Sequence, residues 1–380
     1  MIFIFSKKRG RMKKTRVGIV GMGAIGAAHW DALRRIPEVE IVAVSGRDPI
    51  QTKEAALRFQ IPEWTTSFES MFPSVDVVHN CTPNHMHDAI NRAAIARGKC
   101  IYAEKPLSQT AADAFATWKM AETAGVLHGL NHQYRMNAAV QEMRVRVQQG
   151  KAGRVFLVSG RYHQQSGLYP TDFSERMVEP NHVWALSDIG THLADLACCV
   201  LNQRIEKVFA NVQTTHEKRM KPDGEWIRVE SDDLSTILVS FQNGVQGLFS
   251  VSKVSAGHMN DLALCVDSQE CGMRWEQETP DRLHLTYKHR PNELLTISPQ
   301  LVDPAVQGLV TRPGGHPPGW NDALYFSIRE FYAAVRGEIT PSAMRNATFE
   351  DGFEGMAFVE AALRSAKSGE WERISRQMHE

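Results

Sequence analysis

The sequence predicts an α/β protein: a doubly wound parallel sheet, then an α/β unit with a large, open, mostly antiparallel sheet. Two patterns carry this. Between residues 15 and 135, short β-branched runs alternate with segments of helical periodicity, the order that builds right-handed βαβ units. Beyond residue 136 the strands lengthen and crowd together, and an Asn243-Gly244 turn links two of them, a hairpin signal. A chain of 380 residues is long enough for two such cores.

In order, "RVGIVGMG" is a strand and "AIGAAHWDALRRI" a helix, followed by the strand "EIVAVSG" and the helix "TKEAALRF". "VDVVHNCT", "HDAINRAAIARG", "CIYAEK", "AADAFATWKMAETAG" and "VLHGLNHQ" continue the alternation. After the helix "NAAVQEMRVRVQQG" come the long strands "GRVFLVSGRYHQ", "EKVFANVQTTH" and "STILVSFQNGVQGLFSVSKVS". "DLALCVDS", "CGMRWEQE" and "DRLHLTYKH" complete a second sheet. Residues 290–320, rich in Pro and Gly, read as a long loop, and helices close the chain near 322–336 and 347–368. The expected division is 1–14 as a disordered extension, 15–135 for dinucleotide binding, and 136–380 for substrate binding and oligomerisation. Met12 is a candidate start.

Lys+Arg and Asp+Glu both number 43, which removes any long-range attraction to nucleic acid or an anionic membrane. The six cysteines form no CxxC pair, so neither a zinc site nor a disulfide framework is expected. A reducing cytoplasm suits them. No apolar run approaches the ~18 residues needed to span a bilayer.

Gly21, Gly23 and Gly26 form GxGxxG between the first strand and the first helix, with Ala24 and Ile25 opening that helix. The first glycine turns the chain tightly, the second admits a pyrophosphate, and the third lets helix and strand approach. In this context the motif predicts dinucleotide binding. The second strand ends Ser45-Gly46-Arg47. A hydroxyl and a guanidinium suit a 2′-phosphate and favour NADP over NAD.

Thr82-Pro83-Asn84 falls at the C-terminal edge of the parallel sheet, on the cofactor side, with His87 one turn on. Asp188, His192 and Asp195 recur at i, i+4 and i+7, one stripe of a helix on which an acid orients a histidine base. Glu104-Lys105-Pro106 ends an apolar strand. The proline holds Lys105 extended at the sheet edge, pointing into the cleft. The loops at 161–184 and 314–323 mix aromatics with hydrogen-bonding side chains, a composition suited to gripping several hydroxyls. Candidate substrate contacts are Arg135, His163, Tyr169, Asp172 and His316 beside Lys105, Asp188 and His192. No metal is expected.

Together Gly21–Gly26, Glu104-Lys105-Pro106 and Asp188–Asp195 make the chain resemble the Gfo/Idh/MocA oxidoreductases, named for glucose–fructose oxidoreductase and inositol dehydrogenase. The resemblance spans residues 15 to about 370. It implies an N-terminal Rossmann domain and NAD or NADP as cofactor. A sugar, anhydrosugar or polyol would be the substrate. It further implies a cis peptide before Pro106, Lys105 and the Asp188/His192 pair beside the nicotinamide, and a homodimer or homotetramer through the C-terminal sheet. Many NAD-using members carry an acid where this chain has Ser45. A glycosidase with a closed NAD redox cycle and a non-catalytic cofactor-binding regulator share the fold and stand as alternatives. Glu104 is expected to support the lysine or nicotinamide from behind.

Overall fold

The computed structural model describes residues 14–179 and 183–376. The expected extension at 1–14 lies outside these, apart from Lys14. The parallel sheet contains β1 (Thr15–Val20), β2 (Val39–Ser45), β3 (Glu63–Thr65), β4 (Val77–Asn80), β5 (Cys100–Ala103) and β6 (His128–Leu130). Its strand order is β3-β2-β1-β4-β5-β6. Between them run α1 (Ala24–Arg34), α2 (Pro49–Phe59), the short α3 (Phe68–Met71), α4 (Asn84–Ile95) and α5 (Ala111–Thr123). β4 is buried throughout, as expected of a strand covered on both faces.

The order reverses between β1 and β4, and ligands of open α/β sheets bind at such a switch point, beyond the carboxyl ends of the strands. Four exits converge there. Gly21 donates to the Ser45 carbonyl (2.8 Å), Cys81 to Val20 (2.8 Å), Glu104 to Asn80 (2.9 Å) and Asn131 to Ala103 (2.9 Å). The glycine loop, Thr82, Lys105 and the residues after Leu130 are thus brought to one rim.

After α6 (Ala138–Gln148) the second sheet begins with β7 (Val155–His163). α7 (Thr191–Leu201) and β8 (Ile205–Gln213) follow, then the small pair β9 (Lys218–Met220) and β10 (Trp226–Arg228). Next come β11 (Leu234–Phe241), β12 (Gln246–Ser252), β13 (Asp261–Ser268), β14 (Gly272–Glu276), β15 (Arg282–Thr286) and β16 (Glu293–Thr296). α8 (Trp320–Val335), α9 (Phe349–Ser368) and β17 (Glu372–Arg373) end the described chain. The nine strands run β16-β15-β14-β13-β7-β12-β11-β8-β17, antiparallel except where β7 meets β12. The segment expected as a loop from 290 holds edge strand β16, paired with β15. β3, β17 and the β9–β10 pair lie outside the segments read as strands.

Helices α6, α7 and α9 cover one face of this sheet, burying Val208, Ile237, Val239 and Phe249. On the other face Phe209, Leu238 and Leu248 stand opposite one another across β8, β11 and β12, each more than a third exposed. Helix α8 leaves this unit and returns to the first sheet, where Phe331 and Tyr332 pack with Tyr102, Val17 and Ile19. The two sheets are therefore tied together by the C-terminal third of the chain.

Candidate active site

The glycine loop fits a dinucleotide. Gly21 has φ +88, and a Cβ there would stand 2.7 Å from the Cys81 carbonyl oxygen. At Gly26 a Cβ would come 2.1 Å from the Gly21 oxygen, so neither site tolerates a side chain. A Cβ on Gly23 would meet nothing within 4 Å: the space it would fill is open, over a helix start that has no side-chain cap and no acid in its first turn. Such a cradle takes a pyrophosphate. Ala24 follows in the first turn of α1, and Ile25 lines the adjoining cleft.

At the end of β2, Ser45 is buried, and Arg47 is exposed with no hydrogen bond among the described residues. Asp48 is committed to capping α2, its Oδ1 accepting from Ile50 (2.8 Å) and Gln51 (2.9 Å). No free carboxylate follows β2 directly.

Thr82 hydrogen-bonds Asn80, and Pro83 caps α4. Asn84 turns the other way, its amide donating to Glu179 (3.3 Å), so it faces a loop and not the cofactor cleft. His87 is buried behind the rim, its ring nitrogens 2.6 Å from the Pro106 oxygen and 2.8 Å from the Thr82 oxygen. It ties the Thr82 loop to the Lys105–Pro106 turn, whose peptide is cis.

Lys105 Nζ donates to the Asp188 carbonyl (2.8 Å) and to Asp188 Oδ1 (2.6 Å). Asp188 lies in a single π-helical turn, Leu186–Gly190, that leads into α7, and such turns frequently mark functional sites. Asp232 fixes the entry to that turn, accepting from Trp184 and Leu186 (2.7 Å each). Two further cations reach the same carboxylate, Arg176 at Oδ1 and Lys253 at Oδ2, each at 2.5 Å. Burial pushes the Asp188 carboxyl up, but Lys105, Lys253 and Arg176 outweigh it and hold it well below the usual carboxylate range.

His192, one turn on, makes no hydrogen bond to Asp188 among the described residues. Its Nδ1 instead stands 3.0 Å from Nδ1 of His132, just beyond β6. The expectation that Asp188 directly orients the histidine is therefore corrected: the Asp188 carboxylate serves three cations, and the imidazole is paired with His132. Burial, Lys105 and His132 hold His192 well below the usual imidazole range, against the upward pull of Asp188. Asp195, expected in the same stripe, is clamped one turn further by Arg135 at 2.7 and 2.5 Å.

That clamp corrects a second expectation. Arg135 binds Asp195 and Asp351 on the far side of α7, and the neighbouring Tyr134 lines the cleft instead. His163 is also outside. Successive strand residues face opposite sides, so Tyr162 turns inward while His163 lies on the open face beside Ser250 (2.8 Å) and His258. Tyr169 is exposed, and Asp172 caps its backbone N–H (2.8 Å). His316 is exposed beside Pro313, and Trp320 from the same loop lines the cleft in its place. Of the expected substrate contacts, Lys105, Asp188 and His192 converge. Arg135, His163, Tyr169, Asp172 and His316 do not.

Several groups went unread in the sequence: Tyr162, Asn260, Gln164 and Lys253, which with Tyr134 form one hydrogen-bonded chain ending on Asp188. Lys253 had a signal, a lysine closing an apolar strand in "LFSVSKVS". Arg176 had none. Behind Lys105, Glu104 is bound by Asn131 (2.6 Å) and His29 (2.9 Å), and His29 by His79 (2.9 Å), which meets Tyr332 (3.0 Å). Burial pushes Glu104 up, but His29, Lys105 and Asn131 bring it below the ordinary value.

Among the described residues one group, His163, His258 and Asp261, brings three metal-capable atoms within 4.8 Å of one another. Arg161 already donates to Asp261 Oδ2 (2.7 Å), and a cation would have to displace it.

Residues 15–132 match the model of the oxidoreductase family with an NAD-binding Rossmann fold, and residues 140–270 match the GFO/IDH/MocA C-terminal domain. Levoglucosan dehydrogenase of Pseudarthrobacter phenanthrenivorans is 25% identical, over 95% of this chain and 98% of that protein. Inositol 2-dehydrogenase of Rhizobium meliloti is also 25% identical, over 92% and 96%. A levoglucosan dehydrogenase structure, in complex with NADH and L-sorbose, superposes with a TM-score of 0.88 at 25% identity, covering 96% of this chain and 100% of that one.

Proposed function

Because the chain belongs to the GFO/IDH/MocA oxidoreductase family, we propose that it transfers a hydride between a nicotinamide dinucleotide and a secondary hydroxyl or keto carbon of a sugar, anhydrosugar or polyol. The observation that carries this is the meeting of Lys105 with Asp188 and His192 beside the glycine loop. A sensor without turnover has no use for a neutral histidine and an ammonium converging on one cleft.

A bound nicotinamide supplies the hydride acceptor or donor. The protein's own groups handle the proton and the oxygen. If His192 donates its Nδ1–H to His132, Nε2 is left with a lone pair for the substrate hydroxyl proton. Lys105, oriented by Asp188, offers its remaining N–H to the reacting oxygen and stabilises its developing negative charge. Lys253 and Arg176 hold the Asp188 carboxylate in place. In reduction the roles reverse, and a histidine with a depressed pKa gives up its proton readily. Lys105→Ala should lower turnover ~100-fold or more, by loss of an electrostatic donor, while dinucleotide affinity stays unchanged. Undiminished turnover would remove Lys105 from the mechanism.

NADP is the favoured cofactor. The reading is supported by Arg47, which is exposed and makes no hydrogen bond among the described residues, and by Asp48, whose carboxylate is spent on a helix cap. The ratio of kcat/KM for NADP and NAD tests it, and a ratio below one refutes it. The Phe209–Leu238–Leu248 row is the proposed homo-oligomer surface, since a monomer gains nothing by exposing it.

A further inference from the structure

We infer that the substrate carries a carboxylate, on the carbon next to the reacting carbinol or one removed from it, and that Arg176 recognises it. The inference rests on the dehydrogenase reading above and narrows its substrate class to sugar acids. Three cations meet on the single carboxylate of Asp188, and they differ in exposure. The side chains of Lys105 and Lys253 are 12% and 5% exposed, and that of Arg176 is 39% exposed. Arg176 spends Nη1 on Asp188 Oδ1, and its Nε and Nη2 donors find no acceptor among the described residues. It lines the cleft together with Lys105 and His192.

The other acids at this end are engaged. Glu104 is held by His29 and Asn131. Glu179 accepts from Asn84, and burial raises its pKa against the opposing pull of Asn84 and the nearby Arg176 charge. The open Nε and Nη2 edge of Arg176 is thus left to the cleft, and a guanidinium fork binds most strongly to an anion that accepts from both donors. A neutral sugar brings hydroxyls but no charge. A carboxylate offers two oxygens in the plane of the guanidinium fork. A phosphate dianion would ask for more positive charge than one fork supplies, since Lys105 is occupied by the reacting oxygen.

Geometry sets where the carboxylate sits. Lys105 and Arg176 donate to the same oxygen atom, so the two cations are immediate neighbours. A hydroxyl resting on Lys105 brings the substituents of its own carbon and of the next carbon against Arg176. Aldonic and uronic acids have this arrangement. The carboxylate takes no part in the redox step. The carbinol carbon gives its hydride to the oxidised nicotinamide and its hydroxyl proton to His192, leaving a keto acid.

The test uses the purified full-length protein with NAD and with NADP. D-gluconate and D-glucuronate are compared with D-glucose, myo-inositol and glucose 6-phosphate, by calorimetric binding and by initial rates. The expected result is a kcat/KM for at least one sugar acid about 100-fold above its neutral counterpart, the scale of a desolvated charge pair. Arg176→Gln should collapse that ratio, mostly through KM, and weaken calorimetric binding of the acid. Arg176→Lys should restore part of both. Turnover of neutral sugars in preference to the acids overturns the carboxylate and leaves the dehydrogenase reading standing. Preference for the sugar phosphate overturns it in favour of a different anion. No turnover of any member overturns both.

Discussion

The histidines are the residues whose behaviour the sequence could least foretell. Lys105 and Asp188 pull His192 in opposite senses. Burial and a neighbouring histidine tip that balance, holding it well below the usual range. A base that is neutral throughout the physiological range should lose activity only in acid. The kcat/KM profile for oxidation should therefore stay level down through pH 6.5, and His192→Asn should abolish its acid limb. An acid limb centred at or above pH 6.5, or one that survives in His192→Asn, would assign proton transfer to another group, Lys105 first. His87 poses the complementary case. Both its nitrogens face carbonyl oxygens, and a neutral ring can donate to only one. Motif residues such as Gly21, Lys105 and His192 were legible because their chemistry needs fixed types at fixed spacing. Arg176 and His132 were not, because nothing local marks a side chain that matters only through what it meets across the fold.

For the elements, the order of strands and helices in the first sheet could be read from periodicity, and the Asn243-Gly244 turn from its dipeptide. The unread pieces are the short edge strands β3, β16 and β17 and the small β9–β10 pair, whose two to four residues carry no measurable alternation. The misplacement of His163 has a related cause. A strand shows its two faces clearly in sequence only when one is polar, and β7 exposes the successive apolar residues Phe156 and Leu157 on opposite faces. The open face of β8, β11 and β12 can be tested as an element. Leu238→Glu puts a charge at the centre of the Phe209–Leu238–Leu248 row without touching the buried face. It should shift the assembly toward smaller species in sedimentation while the circular dichroism spectrum is retained. An unchanged sedimentation coefficient would place any subunit contact elsewhere.

Over the whole molecule, buried histidines set the response to acid. His79, His87, His132, His163 and His192 all have lowered pKa values, and His128 is brought down to about 4, with burial the leading cause in each. The unfolded chain takes up these protons near pH 6.5, before the folded one does. Their contribution is therefore present above pH 6.5 and is lost as pH falls toward 4. Asp232, raised by burial to about 6, and Glu179, also raised by burial, act in the opposite sense. Six groups against two should win, so the thermal midpoint is expected to fall steadily from pH 7.5 to pH 5. His128 alone, whose Nδ1 accepts from the first residue of α9, accounts for a loss on the order of 2 kcal/mol over that descent. A midpoint that rose on acidification would contradict this.

The ion pair between Lys105 and Asp188 joins residues 83 positions apart in the chain, one at the edge of the parallel sheet and one on the π turn above the mixed sheet. Neither half of the molecule owns a working site. A slight opening at the cleft would unmake the pair, separate His132 from His192 and admit water, while the core that runs on beneath both sheets stays packed. Warming or dilute denaturant should therefore silence turnover before that core melts. The enzyme works as a closed seam, and its activity reports whether that seam is shut.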